Sequence, residues 1–257
     1  MGKTVRETIK SLVKSHLKKS KGYVFGQCLT AVGWVGGTLP EMYEEDGMIE
    51  LSMADVANGG IVVGSALMNK KPIYVIRYQG FNWYNCPMIV NYACKSKELW
   101  NVPCPIFIRG IAMEGGIGPV AGSSHHSLYH RMPGIKIASP MTPKEYISVY
   151  NKFIKGTDVI YVSEHRKSYD NKNELNDLLD KKKYDFILIA ISITRFEAKK
   201  ATKFLIDQGL KIGLINILWI KPFKLSNKQL LSIKNSKFGA LILDDDYVDG
   251  VSKSLAN

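Results

Sequence analysis

The sequence predicts an α/β fold: a parallel sheet with helices on both faces, followed by a second, shorter α/β unit. Two observations carry that expectation. Short apolar runs of strand length alternate with segments whose apolar residues recur at helical spacing, the order that builds a parallel sheet covered on both sides. The alternation stops at a polar, highly charged stretch, residues 164–183, and restarts beyond it. That places a linker at 164–183 between units 1–163 and 184–257.

Residues 4–19 read as an amphipathic helix, with Val5, Ile9, Leu12, Val13 and Leu17 on one side and lysines opposite. A short strand at 23–25 is closed by Gly26. Residues 27–40 are glycine-rich and aperiodic, so they form a loop, and they contain neither of the two familiar glycine-rich phosphate-binding patterns. An acidic stretch leads to a strand at 49–53. The next helix opens at Asp55, and its small residues (Ala54, Ala57, Gly59, Gly60, Gly64, Ser65, Ala66) leave a face thin enough for another backbone to approach. A buried strand at 72–76 is followed at once by Tyr78, Phe81, Trp83 and Tyr84.

The chain continues with a helix at 86–99, where Pro87 is tolerable in the first turn, a strand at 105–109 and a loop at 110–124 ending in His125, His126 and Ser127. A strand at 135–137 precedes a helix that starts with Thr142 as cap and Pro143 at its first position. Another strand follows at 158–162. Past the linker, strands are expected at 186–191, 212–218 and 240–243. Helices are expected at 195–208, at 225–234 and from Gly250 onward.

Composition excludes several classes. The net charge is +12 in 257 residues, but the lysines are spread over helices with no dense basic arm among aromatics, so nucleic acid is not the expected partner. No run of about 18 apolar residues suggests a membrane span, and MGKTVRETIK lacks the apolar centre of a signal peptide. Cys28, Cys86, Cys94 and Cys104 show no metal-binding spacing. Reduced thiols in a cytoplasmic protein are the expectation.

The stretch 53–81 carries the chemistry. A carboxylate beside a close-packed helix, with aromatic rings one strand later, can hold a flat heterocycle by its edge and its face. The order Met-Ala-Asp, Gly-Gly-Ile-Val-Val-Gly-Ser-Ala, Lys-Pro-Ile, an aromatic turn, then Asn-Tyr-Ala-Cys-Lys at 91–95 resembles the pyrimidine-binding domain of thiamine diphosphate enzymes. The nearest branches are the beta subunits of 2-oxo-acid dehydrogenase first components and the C-terminal half of transketolases.

That resemblance implies thiamine diphosphate as cofactor, with Asp55 bonded to the aminopyrimidine ring in a nonpolar pocket that raises its proton affinity, and with Phe81, and secondarily Tyr78, stacked on the ring. Asp55 stands where the family has Glu, one methylene longer; the plainer alternative is a residue that only caps its helix. For Phe81 the alternative is ordinary core packing. His125 and His126 resemble substrate-facing histidines. Two adjacent histidines without a third ligand do not make a metal site, and His165 reads as a solvated linker residue.

The family's Gly-Glu-Glu is replaced here by Gly26, Gln27 and Cys28. Its Gly-Asp-Gly motif, which holds the diphosphate and Mg²⁺, does not occur, which implies an alpha-type partner chain carrying both. The acidic run Asp244, Asp245, Asp246 falls where the family supports a subunit interface, and the C-terminal unit is shorter than the family's. The resemblance therefore implies a beta chain that pairs with itself inside a heterotetramer and decarboxylates a 2-oxo acid. The alternatives are a split transketolase acting on sugar phosphates, or a non-catalytic scaffold.

Overall fold

Packing begins with α1 (Val5–Ser20), which leads into β1 (Val24–Gly26) and β2 (Met48–Glu50). The computed structural model describes residues 2–20, 22–31, 33, 35–113, 118, 120–180 and 183–256. Next come α2 (Asp55–Leu67), β3 (Ile73–Ile76) and a long broken helix: α3 (Asn82–Met88), a π-helical turn (Ile89–Ala93) and α4 (Cys94–Trp100). Then follow β4 (Phe107–Ala112), α5 (Ser127–His130), β5 (Ile135–Ala138), α6 (Pro143–Lys155) and β6 (Val159–His165). The rest comprises β7 (Phe186–Ile191), α7 (Thr194–Asp207), β8 (Ile212–Ile217), β9 (Trp219–Lys221), α8 (Asn227–Lys234), β10 (Ala240–Leu243) and α9 (Val251–Ala256).

The first sheet has the order β2-β1-β3-β4-β6-β5-β9, and a second has β10-β7-β8. Every pairing between these strands is parallel except β5 with β9. Alternation along β4 divides the core. Phe107 and Ile111 face a cluster built with Val5, Ile9 and Val13 of α1 and Tyr146 and Phe153 of α6. Ile106 and Ile108 face the opposite cluster, with Val62 and Ala66 of α2 and Ile89. Gly59 lets α2 and α3 approach closely, because a Cβ there would lie 3.1 Å from both the Asn85 carbonyl oxygen and Met88 Cβ.

Three expectations are corrected. The helix read from residue 86 begins at Asn82, because its first turn is fixed by polar contacts that apolar periodicity does not register: buried Asn82 donates to the Tyr161 hydroxyl at 2.7 Å. Pro87 is therefore inside the helix, and the π-helical turn follows it. β4 runs on to Ala112, into the expected loop, whose residues 114–117 and 119 lie outside the described residues.

The third correction concerns Glu164 and His165, expected in a solvated linker. They complete β6 and are 1% and 4% exposed. Glu164 is saturated with donors: Arg109 Nε at 2.6 Å and Nη2 at 2.9 Å, and the hydroxyls of Tyr146 at 2.6 Å and Tyr169 at 2.7 Å. A buried carboxylate survives only when paired in this way.

β9, which has no apolar run of its own, reaches back to extend the first sheet. Fully buried Arg195 at the start of α7 pairs with Glu145 of α6 at 2.6 Å, so the two halves are tied both by sheet and by charge. Thr142 caps α6 by accepting from the Glu145 backbone N–H, with Pro143 in the first turn.

Candidate active site

In a parallel sheet, ligand sites form at the carboxyl ends of the strands. Here Gln27 follows β1, Asp55 follows β2, Arg77 to Phe81 follow β3, and Ser163 and Glu164 lie near the end of β6. Gln27 is placed by the loop behind it. Glu50 at the end of β2 accepts the backbone N–H groups of Cys28 and, at 2.9 Å, Leu29, and Cys28 adopts a left-handed φ of 56° in that tight turn.

Asp55 is the first residue of α2 and is half-buried. Its Oδ1 accepts from Gln27 Nε2 at 3.1 Å and from Asn85 Nδ2 at 3.0 Å. Asn85 also donates to the Phe81 carbonyl at 3.0 Å, and its Oδ1 accepts from the Tyr74 hydroxyl. Burial, with the Asp55 charge nearby, pushes the Tyr74 hydroxyl above its ordinary range, so it stays protonated and donates. Among the described residues Asp55 Oδ2 has no hydrogen-bond partner, and no side chain caps the α2 backbone. The carboxylate faces a cleft lined by Gln27, Tyr74, Arg77, Phe81 and Asn85, with a free volume of about 10 Å³.

Phe81 thus shares the cleft with Asp55. Tyr78 stands beside Phe81, ring centroids 5.6 Å apart, and its own face is covered by the Arg77 guanidinium at 4.6 Å. His125 and His126 do not line this cleft. His126 is fully buried, its Nδ1 3.1 Å from Ser163 Oγ and its Nε2 3.2 Å from Asp244 and 3.5 Å from Asp246. Burial by itself would depress its proton affinity, but the bond to Asp244 and the charges of Asp244, Asp246 and Asp245 outweigh it and raise the imidazole above the ordinary histidine range.

His125 is also buried. Its Nδ1 accepts from the Tyr247 hydroxyl at 2.6 Å and Trp83 Nε1 at 3.4 Å. Gln79, without solvent exposure, joins the two groups of residues: it accepts the His125 N–H at 2.7 Å and donates to Ser163 Oγ at 2.9 Å and the Glu164 carbonyl at 3.1 Å. Among the described residues no three His, Cys, Asp or Glu side chains converge as metal ligands.

Sequence reasoning singled out Asp55 and Phe81 but passed over Gln27, Tyr74, Gln79, Asn85 and the 244–246 run as parts of the site. One signal was available. Residues 56–69 and 78–94 contain no charged side chain, so a Gln or Asn buried there must bond to something specific.

A family model described as "Transketolase, pyrimidine binding domain" matches residues 4–172. The chain belongs to the transketolase pyrimidine-binding-domain family. Within it, the chain is 24% identical over 180 residues to 2-oxoisovalerate dehydrogenase subunit beta of Bacillus subtilis, covering 63% of this chain and 52% of that protein. It therefore spans about half the length of that relative. It is 24% identical over 244 residues to pyruvate dehydrogenase E1 component subunit beta of Acholeplasma laidlawii, covering 85% and 72%. Its fold matches a split-gene transketolase described as an inactive beta4 tetramer, with a TM-score of 0.72, 15% identity and coverage of 100% and 86%. The Campylobacter jejuni transketolase matches with a TM-score of 0.73 at 17% identity, over 98% of this chain and 44% of that one.

Proposed function

We propose that this pyrimidine-binding-domain protein is the beta-type subunit of a thiamine diphosphate enzyme that decarboxylates a 2-oxo acid and passes the acyl or aldehyde unit to an acceptor. The observation that carries the proposal is Asp55, whose Oδ1 is held by two amides and which lines one cleft with Phe81. The chemistry of this set fits an aminopyrimidine: a carboxyl group for the ring edge and an aromatic ring for its face. Thiamine diphosphate, when bound, supplies the carbon that adds to the 2-oxo group and takes up the electron pair left by CO₂. Asp55 holds the proton at the ring edge, Phe81 stacks, and Tyr78 supports Phe81.

A free volume of about 10 Å³ is close to one water and cannot enclose a ring. The remaining wall, the diphosphate and Mg²⁺ fall to an alpha-type chain. Self-association is supported by exposed apolar side chains on α2, α3 and the π-helical turn (Val56, Trp83, Tyr84 and Tyr92), with Met53 at 91% exposure just before α2; residues 56–69 and 78–94 carry no charge in a chain with 35 basic and 23 acidic residues. Exposed apolar side chains gathered on neighbouring helices, not scattered singly, are the mark of an interface. Four free cysteines suit a reducing compartment such as the cytoplasm, and among the described residues no helix is long and apolar enough to cross a membrane.

Calorimetry with thiamine diphosphate and Mg²⁺ tests the shared site. Binding should be weak or absent with this chain alone and tight once the partner chain is added; tight binding by the chain alone overturns the proposal. The full-length fold match to a split-gene transketolase supports a second reading, a two-carbon ketol transfer between sugar phosphates. Turnover of ketose phosphates but not of 2-oxo acids by the assembled enzyme would select it. A scaffold role predicts no turnover of either.

A further inference from the structure

The acidic run 244–246 reaches back about 120 residues to grip the histidine loop through His126, Ser124 and Ser127. Asp244 has both carboxylate oxygens 3.2 Å from His126 Nε2. Asp245 accepts from Ser124 Oγ at 2.7 Å, and Asp246 accepts from the Ser127 backbone N–H at 2.6 Å while standing 3.5 Å from His126 Nε2. The grip extends to Tyr247 on His125 and to the Val251 N–H, which donates to Ser127 Oγ at 2.9 Å. Close approach is built in, since a Cβ on Gly250 would lie 2.3 Å from Ser127 Oγ.

The charge balance at His126 decides its form. Its Nε2 meets two carboxylates whose side chains are 2% and 0% exposed, while the ring itself is 0% exposed. Two buried carboxylates beside a neutral imidazole would leave their charges uncompensated in a medium that penalises this heavily. A proton on Nε2 gives Asp244 a charge-assisted bond, and Nδ1–H can then donate to Ser163 Oγ at 3.1 Å. We propose that Asp244 and Asp246 are positioning residues that keep His126 a buried imidazolium, so that it serves as a fixed cation anchoring the histidine loop and not as a base that exchanges protons. Its value at the candidate active site rests on the proposed function, but the charge state does not.

The other charged groups near this ring are Asp245 on the same segment and His130 on α5. His130 is pushed down by burial and then by the Lys221, His126 and Arg131 charges. An imidazolium at 126 should therefore leave a mark on its neighbour.

The test needs neither cofactor nor partner chain. The histidine rings of the full chain are labelled with ¹⁵N and titrated by NMR, the His126 signal being assigned by its loss in His126→Gln. His126 should remain protonated above pH 6.5. Asp244→Asn should lower its midpoint by at least about one pH unit, a tenfold loss of proton affinity, and Asp246→Asn should lower it in the same direction. Asp244→Glu should restore it, and the His130 midpoint should rise in Asp244→Asn as the neighbouring charge is lost. A wild-type His126 that titrates at or below pH 6.5 overturns the proposal. So does a folded Asp244→Asn whose His126 midpoint is unchanged, which would make the segment a purely structural brace. If Asp244→Asn does not fold, the wild-type titration and Asp246→Asn decide.

Discussion

The proposed function asks Asp55 to do the work of a side chain one methylene longer. Gln27 and Asn85 both bind Oδ1, so the oxygen left for a ligand is chosen before any ligand arrives. Asp55→Asn can keep an oxygen toward those two amides and should fold normally, yet it cannot hold the proton the ring edge needs. With the partner chain present, its turnover is expected to fall to background, whereas Asp55→Glu should retain partial activity despite an overpacking cost of about 1–3 kcal/mol. Wild-type turnover by Asp55→Asn would remove Asp55 from the chemistry. At His16 burial dominates, pushing the imidazole down to about 4. A lowered folded-state value means that the unfolded chain takes up the proton first, so stability is unaffected above pH 6.5 and is lost as pH falls from 6.5 towards 4. The full displacement corresponds to about 3 kcal/mol. Urea unfolding of wild type and His16→Gln at pH 7 and pH 4.5 should show the wild type losing markedly more stability on acidification.

At the scale of elements, the β4–β6 pair carries a buried ion pair in place of apolar contact. Arg109 and Glu164 hold each other where the sheet approaches the site, and the Glu164 carbonyl also receives Gln79. Replacing Glu164 by Gln leaves a buried guanidinium without its counter-charge, and breaking such pairs typically costs about 3–5 kcal/mol. Replacing both partners by apolar residues, Arg109→Met with Glu164→Leu, should cost less than Glu164→Gln alone. Chemical denaturation of the three proteins measures this, and a double variant worse than the single one would mean that the hydroxyls of Tyr146 and Tyr169, left without an acceptor, dominate. The α6 cap is a smaller lever: Thr142→Ala should cost about 1 kcal/mol.

For the whole molecule, the exposed apolar side chains of α2, α3 and the π-helical turn set the expected assembly. A carboxylate buried in such an interface lacks a partner, so Trp83→Asp combined with Tyr92→Asp should shift the chain to a smaller species in light scattering without unfolding it. An unchanged mass would place self-association elsewhere. Trp83 also donates to His125, so the same variant reports whether the interface and the histidine loop are coupled.

The α/β class, the apolar strands, the Thr142–Pro143 helix start and the pairing of an acidic residue with an aromatic turn were all legible in the sequence, because each rests on local periodicity or on residues close in the chain. The strand at Phe186–Ile191 and that at Ala240–Leu243 have the expected limits. What the sequence concealed depends on contacts across long separations. Glu164 reads as a linker residue until Arg109 is set beside it, β9 is too short to signal a strand until β5 offers an edge, and 244–246 reads as part of a subunit interface until the fold brings it onto His126. The physical reason is common to all three: each depends on a partner distant in the chain, and only tertiary structure brings that partner into contact.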